Sequence, residues 1–501
     1  MRHKANPICL VAVLVSTCGA AWGEVLRVPQ DYPKIQSAIT AAKDGDVVVA
    51  SQGRHSGNID FLGKAITVRS SDPNNRDVVA GTELSLAEGG AVRFETGESS
   101  QTVLAGFTII MLAPELPPGY GIRCIGSSPT IGHNVIAAEV GGMASWGALY
   151  CQNSSAVITG NTIRGFEMPG NSGGVCCVDS CAWIIGNTMT DNMAENGGAI
   201  YCAGSSTLIS NNSLVSNMAL EGGAIQIVGG RADIVDNVVS TNYGGRTAGV
   251  KCDGTSVVMI GNVVSGNYSG TNVGAMTCSG TALIINNTIA GNKGIGVACI
   301  GGDAVILNSI VRDNRAAWGS SFQILLSADA GQPSTVKVDH CNVEGGTAGC
   351  SVAAGSTLVW AGGNIDADPA FSQPPLWGKD GSFHADLHLL PGSPCIDAGT
   401  NDIDNPDTPA VETLPDKDVA GNPRIIDGNL DGTATVDMGA YEYLPGDPNL
   451  DGKVNVLDLI LIRNSLSKDP ASVPAARRAD LNNDGRVDIL DLMFARDRMR
   501  R

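Results

Sequence analysis

Short apolar segments alternate with glycine, asparagine and other polar turns through the middle of the chain, and one asparagine recurs among them at a nearly constant spacing. Each follows a β-branched or apolar run and precedes another apolar residue, as in the segment VITGNTI around Asn161. The set is Asn134, Asn161, Asn187, Asn212, Asn237, Asn262, Asn287 and Asn308, with separations of 27, 26, 25, 25, 25, 25 and 21 residues. A fixed period of this length, built from strands of a few residues, predicts a solenoid.

Three short strands per repeat, with an asparagine at one corner, indicate an all-β fold: a right-handed parallel β-helix solenoid. At an inward-pointing corner, each asparagine amide can hydrogen-bond the asparagine of the next coil and the bent backbone. Such a ladder satisfies buried polar groups that would otherwise have no partner. We therefore interpret these asparagines as scaffold rather than as a functional site.

Cysteines occupy a second fixed place in the repeat, nine or ten residues before a ladder asparagine, and Ile227 fills that place in one coil. The seven cysteines are Cys124, Cys151, Cys177, Cys202, Cys252, Cys278 and Cys299. A position that accepts Cys or Ile is an interior apolar position, so we expect a stacked column of buried thiols and no metal site there. Cys341 with Cys350, and Cys176 with Cys181, are the candidates for disulfide bonds.

The residue before each interior cysteine should point outward, because side chains alternate along a strand. This outer row reads Arg123, Tyr150, Cys176, Tyr201, Gln226, Lys251, Thr277 and Ala298. We expect it to face solvent. Tyr150 and Tyr201 would stand about 10 Å apart, two coils from each other, and could stack on sugar rings. Arg123 and Lys251 would then pair with acidic groups of a polysaccharide, although all four also fit as ordinary exposed residues.

The first 23 residues have the order of a cleaved secretory signal: basic residues at 2–4, an apolar run at 8–15 and small residues at 21–23. The apolar run is too short to span a bilayer, and no later segment offers a span. A lipid anchor through Cys18, in the segment VSTC, is the alternative. We therefore expect a secreted protein, extracellular or associated with the cell surface.

A short helix should follow the signal, because Ile35, Ala38, Ile39 and Ala42 recur at helical spacing before a turn and a strand at 47–50. Such a helix suits a cap over the open end of a stacked β structure. The segment VPQDYPKIQSAITAAKDGDVVVA resembles the entry segment of secreted, pectin-lyase-like right-handed β-helix proteins, including pectin esterases. The catalytic Asp and Arg motifs of those esterases are not found in this sequence.

The repeat fades after Gly363, so we predict a β-helix over residues 24–365 and a different tail over 366–445. The tail segments GSPCIDAG and VDMGAYEY resemble the closing segment of β-helix proteins of the choice-of-anchor type. Between them, Asp427, Asn429 and Asp431 repeat the first half of a calcium-binding loop, but Met438 stands where a carboxylate is needed. This place is a weak candidate for a further calcium ion, and a tight acidic turn is the simpler interpretation.

From residue 446 onward, one twelve-residue pattern occurs twice, at 447–458 and 480–491. Oxygen donors stand at positions 1, 3, 5, 9 and 12, glycine stands at position 6, and position 7 contributes its backbone carbonyl. The predicted ligands of two Ca²⁺ ions are Asp447, Asn449, Asp451, Lys453, Asn455 and Asp458 in the first loop and Asp480, Asn482, Asp484, Arg486, Asp488 and Asp491 in the second.

No convincing amphipathic helix precedes either loop, and a helix is expected after each. This arrangement resembles the type I dockerin module. The resemblance implies a small α-helical, EF-hand-like domain at 446–501 that folds with calcium and binds a cohesin on a scaffold or cell-surface protein. Loop positions 10 and 11, often polar in dockerins, are apolar here: Val456 with Leu457 and Ile489 with Leu490. An apolar partner, or docking against the chain itself, therefore remains open beside a familiar cohesin.

Composition agrees with a long β structure, since the chain has 64 glycines and only 4% aromatic residues. The net charge of −18 argues against nucleic acid or an anionic membrane as partner. Pectate lyases and polygalacturonases share the predicted solenoid and act from an outer groove. A lyase of that kind needs carboxylates that hold calcium and an Arg or Lys base, and a hydrolase needs carboxylates flanking the scissile bond.

The coils offer charged residues but no recognisable catalytic motif, so the catalytic residues stay unknown. The candidates are Asp179, Asp191, Glu195, Glu221, Asp233, Asp253, Arg231, Arg246 and Lys251. Glu221 and Arg246 lie 25 residues apart, one coil above the other, and are expected to form a surface ion pair. Two hypotheses remain: an enzyme of polysaccharide breakdown, either a lyase or a hydrolase of O-glycosyl bonds, and a non-catalytic glycan-binding or adhesive protein.

Overall fold

The chain winds into a right-handed parallel β-helix, as predicted, and ends in a small helical domain. The computed structural model describes residues 23–86, 91–111, 119–138, 146–316, 321–329, 331–403 and 414–499. The predicted signal and Cys18 lie outside these residues. Among the helices of the described ranges, none has the length and apolar character needed to cross a membrane.

Three strand faces surround the core of the solenoid, and we name them A, B and C in the order in which each coil visits them. Face A contains Ile59–Asp60, Val92–Phe94, Gly119–Ile125, Trp146–Gln152, Val175–Val178, Ile200–Ala203, Ile225–Val228, Val297–Ile300, Ile324–Ser327 and Cys350–Val352. Face B contains Val25–Val28, Val47–Ala50, Thr67–Ser70, Val103–Ala105, Thr130–Gly132, Val157–Thr159, Trp183–Ile185, Ser206–Ser210, Arg231–Val235, Asp303–Leu307, Thr335–Asp339 and Thr357–Trp360. Two long strands, Thr247–Ile260 and Gly274–Ile285, bend through both faces.

Face C contains Gly53–Ser56, Thr82–Leu86, Thr108–Met111, Val135–Ala138, Thr162–Arg164, Thr188–Thr190, Ser213–Val215, Val238–Ser240, Val263–Ser265, Thr288–Ala290, Ile310–Arg312 and Asn342–Val343. A smaller parallel sheet, face D, lies between faces C and A and consists of Glu167–Asn171, Met193–Asn196, Met218–Glu221, Tyr243–Gly244 and Tyr268–Ser269. The tail adds an antiparallel hairpin, Phe371–Trp377 with Phe383–Leu389. Every strand pair of the solenoid is parallel, because each coil stacks on the one before it.

Helix α1, Ile35–Ala41, closes the first end of the solenoid as predicted. Its apolar side is buried against the first coils, where Ile39 is fully inaccessible. The ammonium of Lys64 donates to the carbonyl oxygens of Ile39, Thr40 and Ala42 at 2.7, 2.8 and 2.8 Å, which satisfies the open end of the helix. A second short helix, α2, spans Arg76–Gly81, and a 3₁₀ turn spans Gly346–Gly349.

The asparagine ladder is present and fully buried. The backbone N–H and Nδ2 of each asparagine donate to Oδ1 of the next, as from Asn237 to Asn262 at 2.9 and 3.0 Å. The prediction that Asn308 is the last member of the ladder is wrong by one residue. Ser309 receives the hydrogen bond from Asn287 at 3.1 Å, whereas Asn308 turns outward to Thr400. This coil is shorter than its neighbours, and a hydroxyl replaces the amide at the corner.

A second buried ladder, which the sequence analysis missed, runs parallel to the first at the start of face D. Its members are Asn192, Asn217, Asn242, Asn267, Asn292 and Asn314, followed by Gln323. The first five lie five residues after an asparagine of the first ladder, and Asn314 lies five residues after Ser309. That N-x₄-N spacing is a signal that could have found it. The second ladder fixes the corner at which each coil enters face D.

The column of buried thiols is confirmed, since the cysteines stand directly opposite one another from Cys124 to Cys299, with Ile227 in the predicted gap. The proposed disulfide bonds are absent, because all four thiols are free. Cys341 points inward at a ladder corner, with its thiol 3.1 Å from the Asp339 carbonyl. Cys176 is buried, whereas Cys181 is exposed.

The tail packs along the outside of faces B and C. Phe371, Leu389 and Met438 bury the outer sides of face C residues, including Val263 and Ile310. Ile403 does the same on face B. Strands beneath the tail are therefore apolar on both sides, unlike the other strands of the solenoid.

The C-terminal domain contains helices α3, Val456–Ser465, α4, Pro474–Ala479, and α5, Ile489–Arg498. A helix follows each twelve-residue loop, as predicted. The expectation that no helix precedes the second loop is wrong, because α4 leads directly into it with a proline at its start. Ile462, Ala476 and Ala495 form the centre of this small core.

Candidate functional sites

The first twelve-residue loop is wound so that its side-chain oxygens turn back toward its own centre. Asp447 accepts the N–H groups of Gly452 and Asp451 at 2.8 and 3.3 Å. Asn449 accepts from Asp451 at 2.9 Å, and Asp451 accepts from Lys453 at 3.0 Å. Gly452 has a φ of +75°, which explains glycine at position 6. These bonds turn the side chains of positions 1, 3 and 5 back onto the backbone of the loop.

The last positions of the first loop also form the start of helix α3. Asn455 caps the helix by accepting the N–H of Leu457 at 2.8 Å. Asp458 accepts the N–H of Asn455 at 2.7 Å, and the pair forms a capping box. The same carboxylate accepts the N–H of Asn449 at 3.4 Å. Position 12 is thereby placed across the loop from position 3.

The second loop repeats this geometry. Asp480 accepts from Gly485 and Asp484 at 2.9 and 3.1 Å, and Gly485 has a φ of +83°. Asp488 caps helix α5, and Asp491 accepts its N–H at 2.8 Å. The two loops are therefore structurally equivalent, as their sequences predicted.

Burial leaves the carboxylates of both loops without a counter-charge. Asp447, Asp458, Asp480 and Asp491 are only 5, 0, 4 and 0% exposed, and none has a lysine or arginine ion-pair partner in the described chain. Burial, with the nearby Asp458 carboxylate, raises the pKa of Asp447 to about 6, although the hydrogen bond from the Gly452 N–H acts in the opposite direction. Because the donors are all oxygens, the residues fit Ca²⁺.

The weak third candidate for calcium binding, the turn that begins at Asp427, has the same backbone winding in its first half as the two twelve-residue loops. Asp427 accepts the N–H of Gly432 at 3.1 Å, and Asp431 accepts that of Thr433 at 2.8 Å. Asp397 accepts the N–H groups of Gly428 and Asn429 at 3.3 and 2.6 Å. These hydrogen bonds account for the loop as a tight acidic turn, and calcium binding here stays a prediction.

The predicted outer row of face A has the expected register, but it is not open to solvent along its whole length. Its half-buried members are Arg123, Tyr150, Tyr201 and Lys251. Its buried members are Cys176, Gln226, Thr277 and Ala298, at 2, 5, 5 and 0% exposure. Neighbouring segments cover these positions, which alternation along a strand cannot reveal. The expectation of a continuous solvent-facing row is therefore wrong.

The upper part of this row is partly occupied by other side chains. Arg123 pairs with Glu95 at 2.8 Å. The ring of Tyr150 lies 5.1 Å from that of Tyr120, and the Tyr120 hydroxyl donates to the Asn171 carbonyl at 2.6 Å. One side of Tyr150 is thus already in contact with another aromatic ring.

Lower in the row, Lys251 lies between two carboxylates at the edge of a 290 Å³ cavity. Its Nζ is 2.9 Å from Glu221 and 3.0 Å from Asp253. Burial works against the charged ammonium, but the hydrogen bonds to both carboxylates outweigh it and raise the pKa of Lys251. The predicted ion pair between Glu221 and Arg246 is confirmed at 3.2 Å. Lys251 is therefore held as a cation and is not prepared to act as a base.

The other charged candidates are not brought into this cluster. Arg231 and Asp233 pair with each other at 2.9 Å. Asp179 and Asp191 occupy turns with φ values of +47° and +56°. Glu195 is exposed on face D. These residues therefore have structural or surface positions.

Comparison with known proteins decides the nature of the C-terminal helices. The family described as the dockerin type I domain matches residues 445–499. Residues 445–499 form a type I dockerin domain. Type I dockerin domains bind calcium. The family described as the right-handed beta helix region matches residues 198–365, and no curated protein matches the chain.

Several solved structures are similar to this chain. A PL6 alginate lyase in complex with a trisaccharide is 12% identical, with a TM-score of 0.46, and the match covers 73% of this chain and 92% of that one. The catalytic domain of a GH87 α-1,3-glucanase in complex with tetrasaccharides is 15% identical, with a TM-score of 0.40 and 70% of each chain covered. A pectate lyase is 13% identical, with a TM-score of 0.36, and the match covers 85% of this chain and 98% of that one. Similarity at this level assigns no activity.

The dockerin domain presents an apolar surface to solvent. Val456 and Leu457 are 57 and 54% exposed at the start of α3, and Ile489 and Leu490 are 62 and 52% exposed at the start of α5. These are the apolar residues at loop positions 10 and 11. Among the described residues, all four side chains are more than half exposed, so this surface of the dockerin domain is accessible.

A different side of the dockerin domain contacts the hairpin of the tail. Arg478 on α4 is 3.4 Å from the carboxylate of Asp386 and 3.2 Å from the hydroxyl of Ser372. Burial alone would raise the pKa of Asp386, but hydrogen bonds from His388 and Ser372 lower it to about 2. Asp386 is therefore ionised, and its ion pair with Arg478 connects the dockerin domain to the tail.

Proposed function

We propose that this chain is a secreted protein that acts in polysaccharide breakdown while its dockerin domain is bound to a cohesin on a scaffold or cell-surface protein. The observation that carries the proposal is the dockerin domain with its two exposed apolar pairs. Exposed apolar groups flanking a folded, calcium-dependent core are typical of a protein-binding surface. The β-helix is the part that the dockerin domain would deliver to the polymer.

The dockerin domain would hold two calcium ions, one in each loop. Side-chain oxygens of positions 1, 3, 5, 9 and 12 and the carbonyls of Lys453 and Arg486 supply the ligands. The buried carboxylates without counter-charge support this assignment. Calcium neutralises them and thereby stabilises helices α3 and α5.

Polysaccharide would lie along face A, beside the cavity at Lys251. Tyr150 and Tyr201 offer aromatic surface for sugar rings, and Arg123 and Lys251 offer positive charge. The carboxylates of Glu221 and Asp253 lie in the same place and are the candidates for acid and base chemistry in a hydrolase. Arg123 and Lys251 are already paired with carboxylates, so less positive charge is available to an acidic substrate. Hydrogen bonds to sugar hydroxyl groups therefore become more important here.

A role in glycan binding without cleavage is the second candidate. The observation that favours it is the pairing of Lys251 with both carboxylates, because the ammonium reduces their basicity.

A panel of polymers tests the two candidates. The full chain is incubated with pectin, alginate and sulfated glycans, with and without calcium, and chain length and unsaturated uronates are measured. Shortened polymer supports breakdown, and loss of that activity in a Tyr201→Ala/Lys251→Ala variant places it on face A. Retention of polymer by the protein with no shortening supports binding alone. If the protein neither shortens nor retains any polymer, both candidates fail.

Cohesin binding is tested separately. In a Leu457→Asp/Leu490→Asp variant, charges replace both exposed apolar side chains, and we expect binding to immobilised type I cohesins to be lost. Leu376→Asp is the matched control, because Leu376 is 61% exposed on the tail hairpin and is not one of the residues at loop positions 10 and 11. Equal binding by the double variant and the native chain contradicts this partner assignment.

A further inference from the structure

Face D presents a single file of outward side chains that differs from the row on face A. In register, the file reads Glu167, Met193, Met218, Tyr243 and Tyr268, with Lys293 following in the next coil. Met218 and Tyr243 are 43 and 37% exposed, and the neighbouring Leu220 is 63% exposed. The file begins with the carboxylate of Glu167, continues as an apolar and aromatic strip and ends in a cation. At about 4.8 Å per coil, it is roughly 24 Å long.

Glycines open the space beside the two tyrosines. The place next to Met218 is filled by Leu220, but the equivalent places in the next two coils are Gly245 and Gly270. A Cβ atom at Gly270 would come within 3.0 Å of the Tyr243 hydroxyl. The rings of Tyr243 and Tyr268 meet edge to face at 5.5 Å. Part of each ring surface therefore stays accessible beside the glycines.

The tail forms the wall at the end of the strip. Trp377 on the hairpin donates its indole N–H to the carbonyl of Gly291 at 2.8 Å, which fixes the ring against the solenoid. The ammonium of Lys293 lies 3.9 Å from the centre of the Trp377 ring and 5.4 Å from that of Tyr268. The lysine is therefore held between two aromatic rings by cation–π contacts.

Two cavities follow one another along this strip. One, of 380 Å³, is bordered by Met193, Met218 and Tyr243. The other, of 290 Å³, is bordered by Tyr268, Lys293 and Trp377. Shallow cavities lined by aromatic side chains and a few polar groups are typical of sites for small, ring-shaped ligands.

Lys293 supplies the positive charge of the second cavity. The other charged residues at its border are Arg315 and Asp313. Arg315 is committed to Glu344 at 2.7 Å. Lys293 has no ion-pair partner within the described ranges, so its charge is available to a ligand. Asp313 lies 3.5 Å from Arg315, so its carboxylate is directed to the guanidinium.

We propose that face D is a second glycan-binding surface, which takes an anionic polysaccharide lengthwise, with an acidic sugar at Lys293 and the following rings over Tyr268 and Tyr243. The width of the strip favours this occupant over a protein. A stable protein interface needs about 800 Å² on each partner, whereas a file one side chain wide matches a linear polymer. Carboxylate and sulfate groups share the chemistry that Lys293 recognises. The inference adds a binding site to the proposed function and does not depend on cleavage.

Binding of short oligosaccharides to the calcium-loaded full chain tests the proposal by calorimetry. The probes are a uronate hexamer, a sulfated galactan oligomer and a neutral glucan oligomer. We expect the anionic probes to bind and added salt to weaken them. Loss of the charge in Lys293→Gln, or of the ring in Tyr268→Ala, should each weaken binding about tenfold, as for the loss of one such contact.

Matched variants separate this site from other causes. Lys337→Gln removes an exposed lysine of face B that is paired with Asp339, and it should bind like the native chain. Far-UV circular dichroism and melting temperature confirm that each variant is folded. If Lys293→Gln and Tyr268→Ala bind normally, if the neutral probe binds as well as the anionic ones, or if no anionic probe binds, the proposal is wrong. If only Tyr201→Ala/Lys251→Ala loses binding, face A is the site, and the proposed function stands without this one. The stronger anionic probe identifies carboxylate or sulfate as the recognised group.

Discussion

Arg424 shows how one residue can attach the tail to the solenoid. It is only 1% exposed, yet its guanidinium reaches Asp236 in a turn of the solenoid at 3.3 Å and Glu442 in the tail at 3.5 Å. Burial raises the pKa of Asp236 to about 7, although Arg424 acts in the opposite direction. Removing one partner of a buried pair leaves the other charge uncompensated, so this contact has a large effect on stability.

The raised pKa of Asp236 predicts a pH dependence of stability. Between its ordinary pKa of 3.8 and about 7, the folded protein holds a proton that the unfolded chain has lost. Asp236 therefore favours folding progressively less as pH rises through this window, by at most about 1.4 kcal/mol per pH unit. We expect the native chain to gain more stability than Asp236→Asn when pH falls from 8 to 5.

Unfolding at several pH values measures this difference. Because Asp236→Asn lacks only this titrating group, effects of pH on the calcium loops are common to both proteins and cancel in the comparison. Parallel stability curves for the two proteins would contradict the raised pKa.

At the scale of the element, the asparagine ladder predicts a strong effect from one interior change. Asn237 donates to the carbonyl of Ile209 at 2.8 Å and accepts from the backbone of Asn212 at 2.9 Å, and both groups are buried. Asn237→Ala leaves them without partners, which should cost about 2–4 kcal/mol. Denaturant unfolding measures the loss. Asn74→Ala, at an exposed turn, is the control and should change stability by less than about 0.5 kcal/mol. Equal effects of the two changes would show that the ladder is not stabilising.

The two calcium loops predict independent losses. Asp458→Ala and Asp491→Ala each remove the position-12 carboxylate of one loop, so calorimetric titration should show one calcium ion bound instead of two. Helical circular dichroism of the native chain should fall after chelation and recover with calcium. Asp469→Asn lies between the loops and should still bind two ions. Binding of two ions by either position-12 variant would overturn the ligand assignment.

The interior of the solenoid could be predicted from the sequence because its contacts repeat once per coil. The thiol column and the ladder followed from spacing alone, and the error at Asn308 arose where one coil shortens and Ser309 takes the corner. The outer surface could not be predicted in the same way. Its coverage depends on segments outside the repeat, such as Tyr120 beside Tyr150 and the tail hairpin beside Lys293. For the same reason, face D was not recognised.

At the scale of the whole molecule, the contact between Arg478 and Asp386 sets how the dockerin domain is held. We expect Arg478→Ala to loosen it, because Asp386 then remains ionised and partly buried without its partner. Hydrogen–deuterium exchange should rise in the hairpin at 371–389 and in α4, by about tenfold in the amides nearest the contact. Arg496→Ala, which removes an exposed arginine paired within α5, is the control. Unchanged exchange in the Arg478 variant would show that the dockerin domain is held by other contacts.

If the chain is secreted, as proposed, the thiol column has a consequence for its folding. All twelve cysteines of the described chain are free, and those of the column are almost completely inaccessible. Burial raises the pKa of Cys252, so its reactive thiolate is suppressed once the coils have stacked. Before that, every one of these thiols is open to oxidants and to mispairing. Each coil must therefore close before its thiol is oxidised or mispaired. Once closed, the coil protects its thiol for the lifetime of the folded state.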